Sequence, residues 1–374
     1  MATLFDETVI NGMTTRNRMV RSAVWEGMCD PEGRPTEKLN NLYRELAEGG
    51  VGLIVSGYAF IRSEGRQMPG QMGICDDGFE EAYKDLTAAV HEGGGRVAVQ
   101  LVHAGGQTDS QNAGRRPLAP SPVKVEQFPE TPEGLTKGEI GDIIIAFGEG
   151  ARRARAWGFD GVQLHSAHGY LINQFLSPYT NRRSDEYGGS VENRCRFLLE
   201  IYKEVRKAVG PDYPVLVKLN GADYLDGGLS KEDALYAAKE LAEAGIDAIE
   251  VSAGTMASGE KNPVREKISR PEREAYNLEL ARGIKQAVVC PVMVVGGFRS
   301  YEVARKAVKD DKMDYIAVAR PLIREPGLPK RWLRGDRTAA ECLSCNKCFM
   351  TGFEDSGIYC AAEKVSQGKA GKDL

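Results

Sequence analysis

Eight short apolar runs, each followed by a stretch with helical spacing, constrain this chain more than any other feature. They fall at Met19–Ser22, Val51–Gly57, Arg96–Leu101, Gly161–His165, Val215–Leu219, Ala248–Val251, Val292–Val295 and Tyr315–Val318. Three of them (Val215–Leu219, Ala248–Val251, Val292–Val295) are almost wholly apolar, as strands covered on both faces should be. Between the runs, the spacing over Thr36–Glu48 puts Leu39, Leu42, Tyr43 and Leu46 on one helical face. Thr136 with Glu139 reads as a capping box opening a helix that reaches Trp157. Ser230 with Asp233 opens another, with Leu235, Tyr236 and Leu241 inward, and Ser300 is expected to cap a short one. Strands alternating with helices specify a parallel α/β fold. The count of eight favours a closed (β/α)8 TIM barrel. An open nucleotide-binding sheet should show Gly-x-Gly-x-x-Gly after its first strand, and none follows Met19–Ser22.

A barrel places its chemistry at the C-terminal ends of its strands. The fourth run ends in such a cluster, Gly161-Val-Gln-Leu-His-Ser-Ala-His-Gly-Tyr170. Half of the chain's four histidines, His165 and His168, stand there with Tyr170 two residues on. Histidines are more often structural, but this spacing just past a strand points to a site. The third run carries Gln100 and leads to His103-Ala-Gly-Gly106, the fifth carries Lys218 and Asn220, and the first leads into Ser22-Ala-Val-Trp-Glu26. A lysine aimed into a barrel is costly unless it meets an anion, here a ligand or a salt-bridge partner in the mouth. After the seventh run, Gly296 and Gly297 let backbone amides approach an anion, and Arg320 follows the eighth. Barrels often hold phosphate at this place; the plain alternative is a turn glycine pair and a surface arginine. Two excursions, Thr108–Leu135 and Ser166–Ser190, form long loops on the same face and are expected to shape access or subunit contacts.

With 42% hydrophobic and 27% charged residues, the 374-residue chain should be soluble and globular. Its net charge of −4, without a basic run, argues against nucleic acid and anionic membrane. No apolar run approaches the ~18 residues of a membrane span. No basic-then-apolar leader is visible at Met1-Ala-Thr-Leu-Phe-Asp-Glu, so the cytoplasm is the default expectation. Of eight cysteines, Cys342, Cys345, Cys348 and Cys360 crowd near the end. Without a signal, that crowding suggests a metal or cluster rather than disulfides.

The run from His165-Ser-Ala-His-Gly-Tyr-Leu-Ile-Asn-Gln-Phe-Leu-Ser-Pro178 through Asn181-Arg-Arg-Ser-Asp-Glu-Tyr-Gly-Gly-Ser190 to Arg194 closely resembles the Old Yellow Enzyme family of FMN-dependent NAD(P)H:flavin oxidoreductases. Arg16-Asn-Arg18, Val99-Gln-Leu-Val-His-Ala-Gly105 and Leu118-Ala-Pro-Ser-Pro122 support the likeness. It covers roughly residues 1 to 335, which are expected to form an FMN-binding barrel, with 336–374 as a cysteine-rich extension whose last ten residues are expected to be mobile. The resemblance implies that His165 and His168 hydrogen-bond the substrate's carbonyl or nitro oxygen, and that Tyr170 gives a proton to the α-carbon. It also implies that Gln100 meets the flavin pyrimidine edge and Lys218 the N1/O2 side. Ser22, Ala23 and Gly57 would line the isoalloxazine, with His165 also beside the flavin, and Gly296, Gly297, Ala319 and Arg320 would hold the ribityl phosphate. The sequence departs from the family's pattern at Ala23, a frequent proline, and at Lys218 and Gly106, both frequent arginines. Trp25 stands where many members carry Thr or Cys beside flavin O4 and is expected to narrow the pocket.

Cys342-x2-Cys345-x2-Cys348-x11-Cys360 resembles the [4Fe–4S] segment of the 2,4-dienoyl-CoA reductase and trimethylamine dehydrogenase group, with zinc the next reading. In those relatives the cluster feeds domains binding FAD and NAD(P)H; a 374-residue chain is expected to lack them. The leading expectation is an enzyme in which NAD(P)H reduces FMN, leaves, and an α,β-unsaturated carbonyl, nitro compound or quinone takes its place. A homo-oligomer is the expected assembly. The alternatives are an iron–sulfur-linked reductase or demethylase-like module serving a separate partner, and a non-catalytic flavin-binding barrel.

Overall fold

The computed structural model describes residues 2–363; residues 364–374, and with them the end expected to be mobile, lie outside the described residues. Eight parallel strands close into a barrel in chain order. They are β1 (Met19–Arg21), β2 (Leu53–Phe60), β3 (Val97–Val102), β4 (Gly161–Ser166), β5 (Val215–Asn220), β6 (Ala248–Ser252), β7 (Val292–Val295) and β8 (Tyr315–Val318). The ring shuts where Ile316 pairs with Met19. All eight expected runs are strands, since barrel strands are covered inside and out and so read as apolar runs. The second begins and ends later than expected, at Leu53 and Phe60.

Seven longer helices cover the outside: α1 (Glu37–Glu48), α2 (Glu80–Glu92), α3 (Lys137–Ala156), α4 (Val191–Val209), α5 (Lys231–Ala244), α6 (Leu278–Ala287) and α7 (Tyr301–Lys309). The Thr136–Glu139 capping box forms as expected, and Ser230 accepts from the Asp233 amide. Two expectations need correction. Helix α5 turns Ala234, Ala237, Ala238 and Leu241 inward, while Leu235 and Tyr236 stay half-buried; small side chains let the helix approach the barrel. Ser300 precedes α7 but does not cap it: its hydroxyl donates to Glu274 at 2.6 Å, and the same carboxylate accepts the Arg299 and Ser300 amides.

The main core lies between barrel and helices. A second cluster fills the lower barrel with Val20, Leu53, Val55, Ala98, Leu216, Ala248, Met293 and Ala317. A two-stranded hairpin, Thr8–Ile10 with Met13–Thr15, adds Ile10 and Met13 to this cluster and closes the barrel floor. At the other end the first excursion contains a small parallel pair, Leu118–Ala119 with Glu133–Gly134. No helix among the described residues is long and apolar enough to cross a membrane.

One irregularity matters for the site. Between β2 and β3 the pairing steps from Val55↔Ala98 to Tyr58↔Gln100, so β2 carries an extra residue. Such a bulge re-aims the side chains beyond it. The Ser56 hydroxyl stabilises it, accepting from the Gln100 amide at 3.2 Å and donating to the Gly57 carbonyl at 2.6 Å.

Candidate active site

Above the apolar floor the barrel interior turns polar. Register places Gln100 beside Gln163, His165 beside Lys218, and Lys218 beside Glu250. Glu250 is fully buried, and three donors converge on it. Ser22 Oγ lies 2.6 Å and Lys218 Nζ 3.1 Å from Oε1, and Gln163 Nε2 lies 2.8 Å from Oε2. Lys218 also donates to Ser22 Oγ at 2.7 Å, and Gln100 Nε2 donates to Gln163 Oε1 at 2.6 Å. Lys218 therefore meets a carboxylate, as a buried ammonium must. The Gln100 Oε1 atom is buried without a partner, leaving an acceptor for an incoming N–H. The sequence reasoning missed Glu250. The signal was present, because an acid inside the apolar run Ala248-Ile-Glu-Val-Ser252 needs a buried partner.

Ser22 and Ala23 follow β1, and Gly57 sits in the β2 bulge. A Cβ at Gly57 would lie 2.1 Å from Glu26 Oε2, so only glycine fits. Glu26 is held there by Arg21 at 2.6 Å and the Tyr43 hydroxyl at 2.9 Å, all buried. The Gly57 amide donates to the Tyr43 hydroxyl at 2.8 Å. Arg21, Glu26 and Tyr43, none of them expected as functional, thus fix the backbone bordering the site.

The histidines and the tyrosine come together as expected. His165 is the last residue but one of β4 and is buried; its ring centroid lies 5.2 Å from His168 and 4.5 Å from Tyr170. His168 has φ +62°, an uncommon value for a residue with a side chain. It is held there by its amide on Asn220 Oδ1 at 3.2 Å, by Gln107 on its carbonyl at 2.8 Å and by Ser252 Oγ on Nε2 at 2.7 Å. Enforced strain of this kind clusters at functional positions. Burial, then the neighbouring His168 and Lys218, holds the His165 imidazole well below its ordinary range; burial and Lys218 do the same to His168. Both rings are therefore neutral at pH 7, and His165 Nδ1 has no partner. Burial pushes the Tyr170 phenol up to about 12, against the pull of hydrogen bonds with Tyr58 and Gln67. Tyr58 and Gln67 went unremarked in the sequence.

At the far side of the mouth, Gly297 has φ +73°, and a Cβ there would lie 2.9 Å from the Tyr276 ring; one at Gly296 would lie 3.0 Å from the Asn277 amide. Ala319 and Arg320 follow β8, and the Arg320 guanidinium hydrogen-bonds Asn346 of the extension. A missed cation, Arg265, packs 4.3 Å from the Tyr276 ring centroid and 5.6 Å from that of Tyr224, its Nε buried without a partner. Gly106 tucks under Pro132 of the first excursion, and its amide donates to Gln174 at 3.1 Å.

The cysteine segment is seated on this rim. The Trp25 indole packs 5.4 Å from Phe349 and 4.7 Å from Phe353, and Nε1 donates to Pro69 O at 3.2 Å. The expected pocket-narrowing ring is thus engaged with the extension. Ile358 N donates to Glu26 O at 2.8 Å, and Gly352 leaves no room for a Cβ against Trp25. Among the described residues, no group of three or more His, Cys, Asp or Glu side chains is drawn together closely enough to hold a metal ion. Cys342 is buried while Cys345 faces solvent, so the four expected ligands do not converge as they stand. They are nonetheless neighbours: burial, then Cys342, Cys345 and Cys360 among its surroundings, pushes the Cys348 thiol up to about 11. Arg324 reaches Cys360 Sγ at 3.6 Å, and the Ser344 amide reaches Cys342 Sγ at 3.4 Å.

Residues 3–338 match the NADH:flavin oxidoreductase / NADH oxidase family. The chain is 37% identical over 368 residues to the NADH oxidase of Thermoanaerobacter brockii, covering 97% of this chain and 56% of that protein. Among solved structures it resembles a 2-naphthoyl-CoA reductase in complex with 2-naphthoyl-CoA, with TM-score 0.89 and 30% identity over 96% of this chain and 56% of the other. It also resembles an old yellow enzyme homologue from Zymomonas mobilis, with TM-score 0.78 and 30% identity over 90% and 94% of the two chains. The chain therefore spans about half the length of the first two proteins.

Proposed function

The chain belongs to the NADH:flavin oxidoreductase / NADH oxidase family, and from that premise we propose that it is an FMN-dependent oxidoreductase carrying electrons from NAD(P)H to an α,β-unsaturated carbonyl or similarly electron-poor acceptor. The observation that carries this reading is the pair of neutral imidazoles beside a buried phenol, above a polar barrel layer. The residues present fit FMN. Gln100 Oε1 and His165 Nδ1 are buried polar atoms without a partner, placed where a bound ring system would supply one. Ser22, Ala23, Gln100, His165 and Lys218 would hold the ring system, and Gly296, Gly297, Ala319 and Arg320 the phosphate. FMN, when bound, supplies hydride acceptance and delivery.

This chain's own groups then do the polar work. His165 and His168, neutral through burial, donate N–H to the acceptor's oxygen as it gains negative charge; preorganised donors of this kind favour the transition state over the ground state. Tyr170 delivers a proton to the α-carbon. Lys218 offers positive charge within the layer, tempered by Glu250 at 3.1 Å. Replacing Tyr170 with Phe should slow enone reduction about a hundredfold, the usual scale of a general acid, with much less effect on flavin reduction by NAD(P)H, as stopped-flow of the separate half-reactions would report. Equal losses in both would refute the role.

The cysteine extension supports a second reading, a cluster-linked module passing electrons to a separate partner. Four cysteines near one another on the site's rim are a donor set that iron–sulfur clusters use, although their side chains are not drawn together as they stand. Anaerobic purification with iron and sulfide assays tests it; less than one cubane's content per chain after reconstitution would exclude it.

A further inference from the structure

Behind Tyr170 stands a second phenol. The hydroxyls of Tyr170 and Tyr58 both donate to Gln67 Oε1, at 2.7 and 2.9 Å, and their ring centroids are 5.4 Å apart. The Tyr58 ring also lies 6.2 Å from that of His165. The arrangement is built rather than incidental. Tyr58 is the first paired residue beyond the β2 bulge, which sets the direction of its side chain. Gln67 is fixed by the buried Gln71, whose Oε1 accepts the Gln67 amide at 2.7 Å and the Met68 amide at 3.2 Å, and whose Nε2 donates to the Tyr58 carbonyl at 3.1 Å. One loop thus clips the shared acceptor to the strand that carries the second phenol.

We propose that Tyr58 and Gln67 are positioning residues that stabilise Tyr170 as it loses its proton and then restore it. The inference rests on the reading of Tyr170 as proton donor. In the resting state Gln67 Oε1 anchors both hydroxyls, so Tyr170 is ordered without being ionised. When Tyr170 gives up its proton, its O–H bond breaks, a C–H bond forms at the acceptor's α-carbon, and the phenol oxygen is left anionic. A buried anion without a donor is costly. The Tyr58 O–H rotates from Gln67 onto that oxygen and makes a hydrogen bond to a charged group, about twice as strong as a neutral one. Transfer of the Tyr58 proton regenerates Tyr170, and the half-buried Tyr58 takes a proton from water, which leaves as hydroxide. One solvent proton reaches the product, with no further oxidant or reductant. In keeping with this, the neighbouring Tyr58 hydroxyl lowers the Tyr170 phenol below the level burial alone would set.

The test is single-turnover reoxidation of the reduced holoenzyme by 2-cyclohexenone at pH 7.5, in mixtures of H2O and D2O. Tyr58→Phe keeps the ring and removes one hydroxyl. It should slow reoxidation about tenfold and turn a curved dependence on deuterium fraction into a linear one. Gln67→Leu, which removes the acceptor from a different segment, should slow the same step and change the same dependence. Tyr170→Phe is the reference arm. If it reoxidises at the wild-type rate, the reading of Tyr170 itself falls. If it is slow while Tyr58→Phe and Gln67→Leu keep the wild-type rate and isotope response, the two-phenol relay falls alone.

Discussion

His103 shows how one residue's surroundings set a property of the whole protein. It follows β3 and is buried; its Nδ1 accepts the Gly105 amide at 3.0 Å, so its ring proton sits on Nε2, which has no partner. Gly65 lies so close that a Cβ there would be 2.8 Å from the imidazole. Burial, with Arg62 and Arg115 nearby and only Glu64 opposing, lowers its pKa from 6.5 to about 4. Below 6.5 the unfolded chain therefore binds a proton that the folded chain refuses. The stabilisation is complete above the unfolded pKa and is lost as pH falls toward about 4. The linked loss is on the order of 3 kcal/mol, with His165 and His168 acting in the same sense. Urea unfolding at pH 7.5, 5.5 and 4.5 should show a shallower decline for His103→Gln than for wild type; parallel declines would contradict the assignment. At this scale the sequence was partly legible. His165, His168 and Tyr170 announced themselves because they share one loop. Glu250 did not, because Ser22 is 228 positions away, and Gln67 did not, because nothing in a surface-like loop marks a residue that turns inward.

Among the elements, the strands were readable and their irregularities were not. An apolar run reports burial on both faces, whatever its neighbours do. A bulge is a property of two strands at once, and the extra residue at Ser56–Gly57 appears only when β2 is laid against β3. The inward face of α5 was read in part: Leu241 is buried as expected and Leu235 and Tyr236 pack half-buried against the core, while close packing selected the alanines that a hydrophobicity count passes over. The cysteine extension is the element whose role changed most. Trp25 was expected to narrow the pocket, and its indole also packs on Phe349 and Phe353. Truncating a buried aromatic of this size costs about 3–5 kcal/mol. Trp25→Ala should therefore release the segment around Lys347–Thr351, seen as faster limited proteolysis there while the barrel strands keep their hydrogen-exchange protection. Unchanged cleavage would mean that Ile358, Arg299 and Asn346 hold the segment without the aromatic contact.

The whole molecule follows from how the barrel is filled. Its upper half is a polar layer of Gln100, Gln163, Lys218 and Glu250, joined by hydrogen bonds. Its lower half is apolar and sealed by Ile10 and Met13 of the hairpin. Neither half is visible from composition, since β3, β5 and β6 contribute to both; the switch occurs inside the strands, at Gln100, Gln163, Lys218 and Glu250 of β3 to β6, while β7 carries no polar residue. The sealed floor governs traffic. With the floor closed there is no back exit, and whatever reaches the polar layer must leave by the mouth it entered. In the proposed cycle, donor and acceptor would then have to take turns at a single threshold, and a molecule lingering there would obstruct both.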